Sequence, residues 1–148
     1  MRNIRILLLA FAALFCVTLY AQSPQAIIEQ ADVAHQNGEY KVALNSYNAA
    51  VDLAMELCDT TTAVEALGKI VSVGMSLKKP ELTLSAQQRI IELNECRSGY
   101  DDFQRLFDYG DLLVYLAKGG KEPEATKTMT KLRKYTSAFN GDDFGRGY

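Results

Sequence analysis

The sequence predicts an all-α fold in which three antiparallel helical hairpins stack into a short solenoid over residues 22–139 of a 148-residue chain. Three observations lead there. Apolar residues recur at three- and four-residue spacing through six segments, the period of a helix that buries one face. Proline stands where helices can start, and Asn-Gly or Gly-Gly stands where they stop. No segment carries the alternating pattern of a half-buried strand. The composition is 48% hydrophobic and 23% charged, with three prolines and no tryptophan. That suits one small globular domain with a modest core.

Residues 1–21 are set apart from the fold. "MRNIR" supplies two positive charges, "ILLLAFAALFCVTLY" is an uninterrupted apolar run, and Ala21 is followed by polar "QSPQ". These are the three parts of a secretory signal, with the cut expected after Ala21. A retained anchor is the alternative, since the run is near the lower length limit for a membrane span. A lipoprotein fits less well, because bulky Phe15 precedes Cys16 where a small residue is wanted. The ending "YAQS" resembles export signals of the Bacteroidetes. The expected location is therefore periplasmic or secreted, without membrane insertion after cleavage. Removing the segment takes Arg2 and Arg5, so fourteen basic residues stand against eighteen acidic ones, a net charge of −4. A mildly acidic chain has no general attraction for nucleic acid or an anionic membrane.

The elements follow in order. Pro24 opens a first helix over 24–36, with Ile27, Ala31 and Ala34 on one stripe, and Asn37-Gly38 stops it. Residues 41–57 make its partner through Ala43, Tyr47, Ala50 and Leu53. A second hairpin starts in "TTTAVEALGKIVSVGMSLKK", where Thr62 and Glu65 have capping-box spacing. It returns from Pro80 with Ala86, Ile90 and Leu93 inward. In the third, Asp101 is a natural N-cap for the helix "DFQRLFDYGDLLVYLAK". Gly119-Gly120 stops that helix, and the last one begins near Pro123 with Ala125, Met129, Leu132, Tyr135 and Phe139 inward. Lys127, Lys131, Arg133 and Lys134 read as a solvated end face, for which Asp101, Asp102, Asp108 and Asp111 offer partners. Small residues at Ala31, Ala43, Gly68 and Ala86 would let helix axes approach closely. The tail "NGDDFGRGY", residues 140–148, is too rich in glycine and acid to pack, and mobility is expected there.

Taken together, Ala31, Gly38, Tyr40, Ala43, Tyr47 and Ala50 in the first hairpin resemble the tetratricopeptide repeat. In the third, Leu112, Leu113, Leu116, Gly120, Ala125, Met129 and Leu132 do the same. Leu67, Gly68 and Val71 match the first helix of a second repeat, and Ala86, Ile90 and Leu93 match its partner. About six extra residues separate those two sets. The resemblance covers nearly all of 24–139. It implies an inner groove built from the first helix of each unit, holding a peptide or a partner helix. Carried over residue by residue, that groove takes Ile28, Asp32, His35 and Gln36 from the first unit. Glu65, Lys69 and Ser72 come from the second, and Phe107, Val114 and Lys118 from the third.

Catalytic signals are scarce. His35 is the single histidine, so a His-based metal cluster is impossible, and no nucleophile-base pairing or phosphate-binding glycine loop is recognisable. His35 itself reads most simply as a solvated surface residue. No cofactor and no enzyme activity are expected. Tyr100, Phe103 and Phe107 form an aromatic stripe that core packing explains more simply than an exposed anchor does. Cys58 and Cys96, one repeat apart, are open to a bridge, but inward-pointing thiols packed as small hydrophobes suit helix spacing better. The expected function is an exported scaffold or adaptor for a protein or peptide partner. An extracytoplasmic input module of a larger receptor is the alternative.

Overall fold

A computed structural model describes residues 23–138. The expected signal segment, Phe139 and the tail fall outside them. The described residues are all-α: six helices, α1 (Pro24–Gln36), α2 (Tyr40–Glu56), α3 (Thr60–Ser76), α4 (Pro80–Glu95), α5 (Asp102–Lys118) and α6 (Glu122–Ala138). No strand occurs among them. The chain divides between Ala66 and Leu67, inside α3, into two compact units.

The connections explain why the helices begin and end where they do. After α1, Gly38 at φ 80° sends its N–H to the His35 carbonyl, and Glu39 sends its own to Ala34. This is a Schellman turn, in which a left-handed residue satisfies carbonyls that the helix end would leave bare. The same pair of bonds recurs at Cys58 and Asp59, at Lys78 and Lys79, and at Gly120 and Lys121. Gly38, Cys58 and Lys78 follow at intervals of 20 residues. Five residues beyond each left-handed position stands Ala43, Ala63, Thr83 or Ala125, whose N–H closes the first turn of the next helix. The connection from α4 to α5 is different. It runs longer, through Gly99 at φ 88° to Tyr100.

This regularity removes the six-residue excess expected in the second hairpin. Thr83, not Ala86, takes the position that Ala43 has in the first. Nor does Gly68 admit a neighbouring helix, since it is exposed with nothing within 4 Å of a built Cβ. The close approach is at Gly74, where a Cβ would lie 2.4 Å from Thr83 Oγ1 and 3.0 Å from its backbone nitrogen. Gly74→Ala is therefore expected to destabilise the protein by about 1–3 kcal/mol, against the usual helix-favouring effect of alanine. A thermal melt at or above the wild-type midpoint would show that α3 and α4 do not meet there.

Side-chain oxygens cap three of the helices, α1, α3 and α5. Ser23 Oγ accepts from Ala26 N at 3.1 Å, and Asp101 Oδ1 accepts from Gln104 N at 2.8 Å, as its position predicts. At α3 the cap is Asp59 rather than Thr62. Its carboxylate accepts from the Thr62 hydroxyl at 2.6 Å and the Thr62 N–H at 3.1 Å, which holds it below the usual carboxylate range.

In the first unit, α1 and α2 form an antiparallel hairpin closed over Ile28, Ala31, Ala43, Tyr47, Ala50 and Val51, none more than 1% exposed. In the second, Leu84, Ile91, Tyr109, Leu112 and Leu116 form the core, with Tyr115, Ala125, Leu132 and Tyr135 against it. Met129 was expected inward and is 40% exposed. The inner stripe of α6 is instead Ala125, Thr128, Leu132 and Tyr135, a three- and four-residue spacing that leaves Met129 one step off the face. Both thiols are free and exposed, contrary to the expectation of inward packing. Cys58 occupies a left-handed turn and Cys96 caps α4, so neither lies on a buried helix face.

Candidate interaction site

The residues expected to line a groove do not behave alike. In the first unit Ile28 is 1% exposed. It is a core residue and presents nothing to a partner, because the buried stripe of α1 runs through Ile28, Ala31 and Ala34 while Ile27 is half-buried. Asp32 accepts a hydrogen bond from the Tyr47 hydroxyl of α2 at 2.5 Å. His35 is half-buried, edge-on to Tyr40 at 5.5 Å and to Tyr47 at 6.4 Å between ring centroids. Its imidazole is therefore part of the hairpin's aromatic packing rather than a solvated side chain. Gln36 is exposed at the end of α1. On α3, Glu65 is exposed while Lys69 and Ser72 are half-buried.

The second unit holds the most developed surface. On α5, Phe103 is 49% exposed, Phe107 63% and Val114 47%, with Lys118 exposed one turn further on. Residues at 103, 107, 114 and 118 share one helix face. Phe103 and Phe107 touch edge-to-face, with centroids 4.9 Å apart at 72°, a favourable aromatic geometry. The aromatic stripe thus divides. Tyr100 is 7% exposed and belongs to the interior, whereas the two phenylalanines face solvent.

What holds α5 in place is a set of polar contacts on its other side. Asp108 accepts from the Tyr100 hydroxyl at 2.8 Å and from Asn94 Nδ2 at 2.9 Å, while Gln87 donates to the Asp108 carbonyl at 3.1 Å. Tyr109 donates its hydroxyl to Glu95, and Lys131 Nζ lies 3.2 Å from the same oxygen. The Arg105 guanidinium pairs with Asp102 at 3.0 Å and sits over the Tyr100 ring, 4.7 Å from its centroid. Three of the four acids expected to serve the basic face of α6 are thus engaged elsewhere: Asp101 caps α5, Asp102 pairs with Arg105, and Asp108 accepts from Tyr100 and Asn94. Burial and the carboxylate each one meets push the phenols of Tyr100 and Tyr109 well above their ordinary value. Sequence reasoning had no route to this network, because its partners are 14 to 22 residues apart and their types are common ones.

A second concavity lies where the end of α3, the start of α4 and the end of α5 meet. It encloses about 350 Å³ and is lined by Gly74, Met75, Lys78, Lys79, Pro80, Thr83, Tyr115 and Lys118. Among the described residues there is no cluster of three or more His, Cys, Asp or Glu side chains suited to a metal. No helix of the described residues is long and apolar enough to cross a membrane.

No family model matches the chain, and no curated protein sequence matches it. Among solved structures it is similar in fold to BtubC (BKLC) from P. vanneervenii, with a TM-score of 0.63 at 13% sequence identity. The match covers 80% of this chain and 48% of that one, so the chain spans about half the length of that neighbour.

Proposed function

We propose that the protein is an exported, non-enzymatic interaction module of the tetratricopeptide-repeat type, and that it docks a protein partner through the outer face of α5. The observation that carries this reading is the solvent-facing row Phe103, Phe107 and Val114 on one face of a helix braced from behind. Large side chains exposed singly need no explanation, but two rings in contact and a valine in line with them form an apolar surface with a polar end at Lys118. An amphipathic helix or an extended peptide with an apolar anchor is suited to such a surface. The helical-repeat reading is supported by the turn that recurs between successive helices, and the tetratricopeptide resemblance by the alanines that let α1 and α2 approach. Export rests on the three-part signal in residues 1–21.

Partner capture from envelope extracts of the cells that make the protein, followed by mass spectrometry, tests the proposal. Phe107→Ala is expected to weaken capture by about 1–3 kcal/mol while changing stability by no more than about 0.5 kcal/mol, since the ring is not core. Capture that is unchanged in a folded Phe107→Ala protein would remove α5 as the docking face.

A further inference from the structure

The concavity between the end of α3, the start of α4 and the end of α5 has a composition that the docking face does not explain. Its walls are apolar: Met75, the Pro80 ring, and the half-buried ring of Tyr115 over a floor of Gly74 and Thr83. Its rim carries Lys78, Lys79 and Lys118, all exposed. None of the three is paired with a carboxylate among the described residues. The nearest candidate on α4, Glu81, is taken by Lys121 at 3.1 Å. On α5, Asp111 stands one turn before Tyr115, its carboxyl raised by partial burial and by the Asp108 charge.

The backbone adds to the positive end. Lys79 is the N-cap of α4, makes no side-chain cap bond, and is followed by Pro80 at the first helical position. The N–H groups of that first turn are thus left without a side-chain acceptor at the same mouth that the lysines surround. Lys78 is held there by the turn itself, in a left-handed conformation at φ 53° where the other turns use glycine or cysteine. Apolar walls beneath three lysines that no carboxylate of the described residues pairs are suited to a molecule with an apolar body and one negative end. A volume of about 350 Å³ is in the range of small-ligand sites rather than of a seat for a whole helix.

We propose that this cleft binds a small amphiphilic carboxylate, its apolar body against Met75, Pro80 and Tyr115 and its carboxylate held among Lys78, Lys79 and Lys118. The charge supplies direction and the apolar walls supply most of the affinity, because exposed lysines contribute modestly one by one.

The test is a titration of the isotopically labelled purified chain, followed by amide NMR, with three probes: decanoate, 1-decanol and acetate. Decanoate is expected to give saturable shifts centred on Gly74, Thr83 and Tyr115, with 1-decanol weaker and acetate showing no saturation. The double variant K79Q/K118Q, whose thermal melt should match wild type because both side chains are exposed, is expected to bind decanoate about tenfold more weakly. Four results would each overturn the proposal. These are no saturable decanoate binding, equal affinity for 1-decanol or acetate, unchanged affinity in a folded K79Q/K118Q, or shifts centred on Phe103 and Phe107 instead.

Discussion

Replacing Tyr47 by alanine is expected to lower stability by about 3–5 kcal/mol, the largest single-residue effect in the first unit. The ring is fully buried at 0% exposure and is the largest side chain so enclosed among the described residues. Its neighbours on α2 are Ala43, Ala50, Val51 and Ala54. Alanines have no rotamers with which to fill a hole, so the cavity would persist and the cost should fall at the upper end of the range. Tyr47→Phe separates the ring from the hydroxyl. It keeps the packing against His35 and loses the bond to Asp32, whose half-buried carboxylate water can still reach. About 1 kcal/mol is expected for that change. Urea unfolding of the two variants measures both terms, and an alanine cost near that of phenylalanine would mean the hairpin is not packed around this ring.

Alkali should unfold the protein steeply. Tyr47, Tyr100 and Tyr109 are 0%, 7% and 3% exposed, and each donates its hydroxyl to a carboxylate. Burial first, then the bonded acid, holds each phenol well above the ordinary value of 10.0. A phenol raised in the folded state keeps its proton where the unfolded chain has already lost it. The stabilisation is therefore complete below about pH 10 and is lost as pH rises from there towards the folded value. Each phenol contributes a slope of about 1.4 kcal/mol per pH unit, and the three together about 4. Denaturant unfolding between about pH 8 and pH 12 should show it, with the slope reduced by about a third in Tyr100→Phe. Tyrosinate absorbance that titrates fully near pH 10 while the helices persist would contradict it.

The hairpin pattern was legible because its determinants are local. Pro24, Asn37-Gly38, Pro80, Asp101 and Gly119-Gly120 each act within a turn of where they stand, and the structure places a helix boundary at every one. The second hairpin was misread in register for the opposite reason. Its left-handed turn residue is Lys78, a type that carries no turn signal, and the small residue that meets the partner helix is Gly74 rather than Gly68. The surface was harder to read than the fold. Phe107 and Tyr100 have the same period and similar chemistry, yet one faces solvent and the other the interior. The acceptor that draws Tyr100 inward, Asp108, does so through a tertiary contact with no sequence signature. Ile28 and Ile27 show the same limit, since adjacent isoleucines differ only by the rotation of α1 about its axis.

The four repeated turns have a kinetic consequence. Each reverses the chain with two backbone bonds inside a span of six residues, so its ends meet at little loop-closure cost and with no distant partner. Helical hairpins closed this way are dominated by short-range contacts, which places them among fast folders. The junction of α4 and α5 lacks that device. Its geometry depends on Tyr100 reaching Asp108 and on Asn94 and Gln87 bonding across to α5, contacts that exist only once both helices are formed. Substitutions in this junction should speed unfolding and leave the refolding rate nearly unchanged, whereas changes at Gly38 or Gly120 should slow refolding.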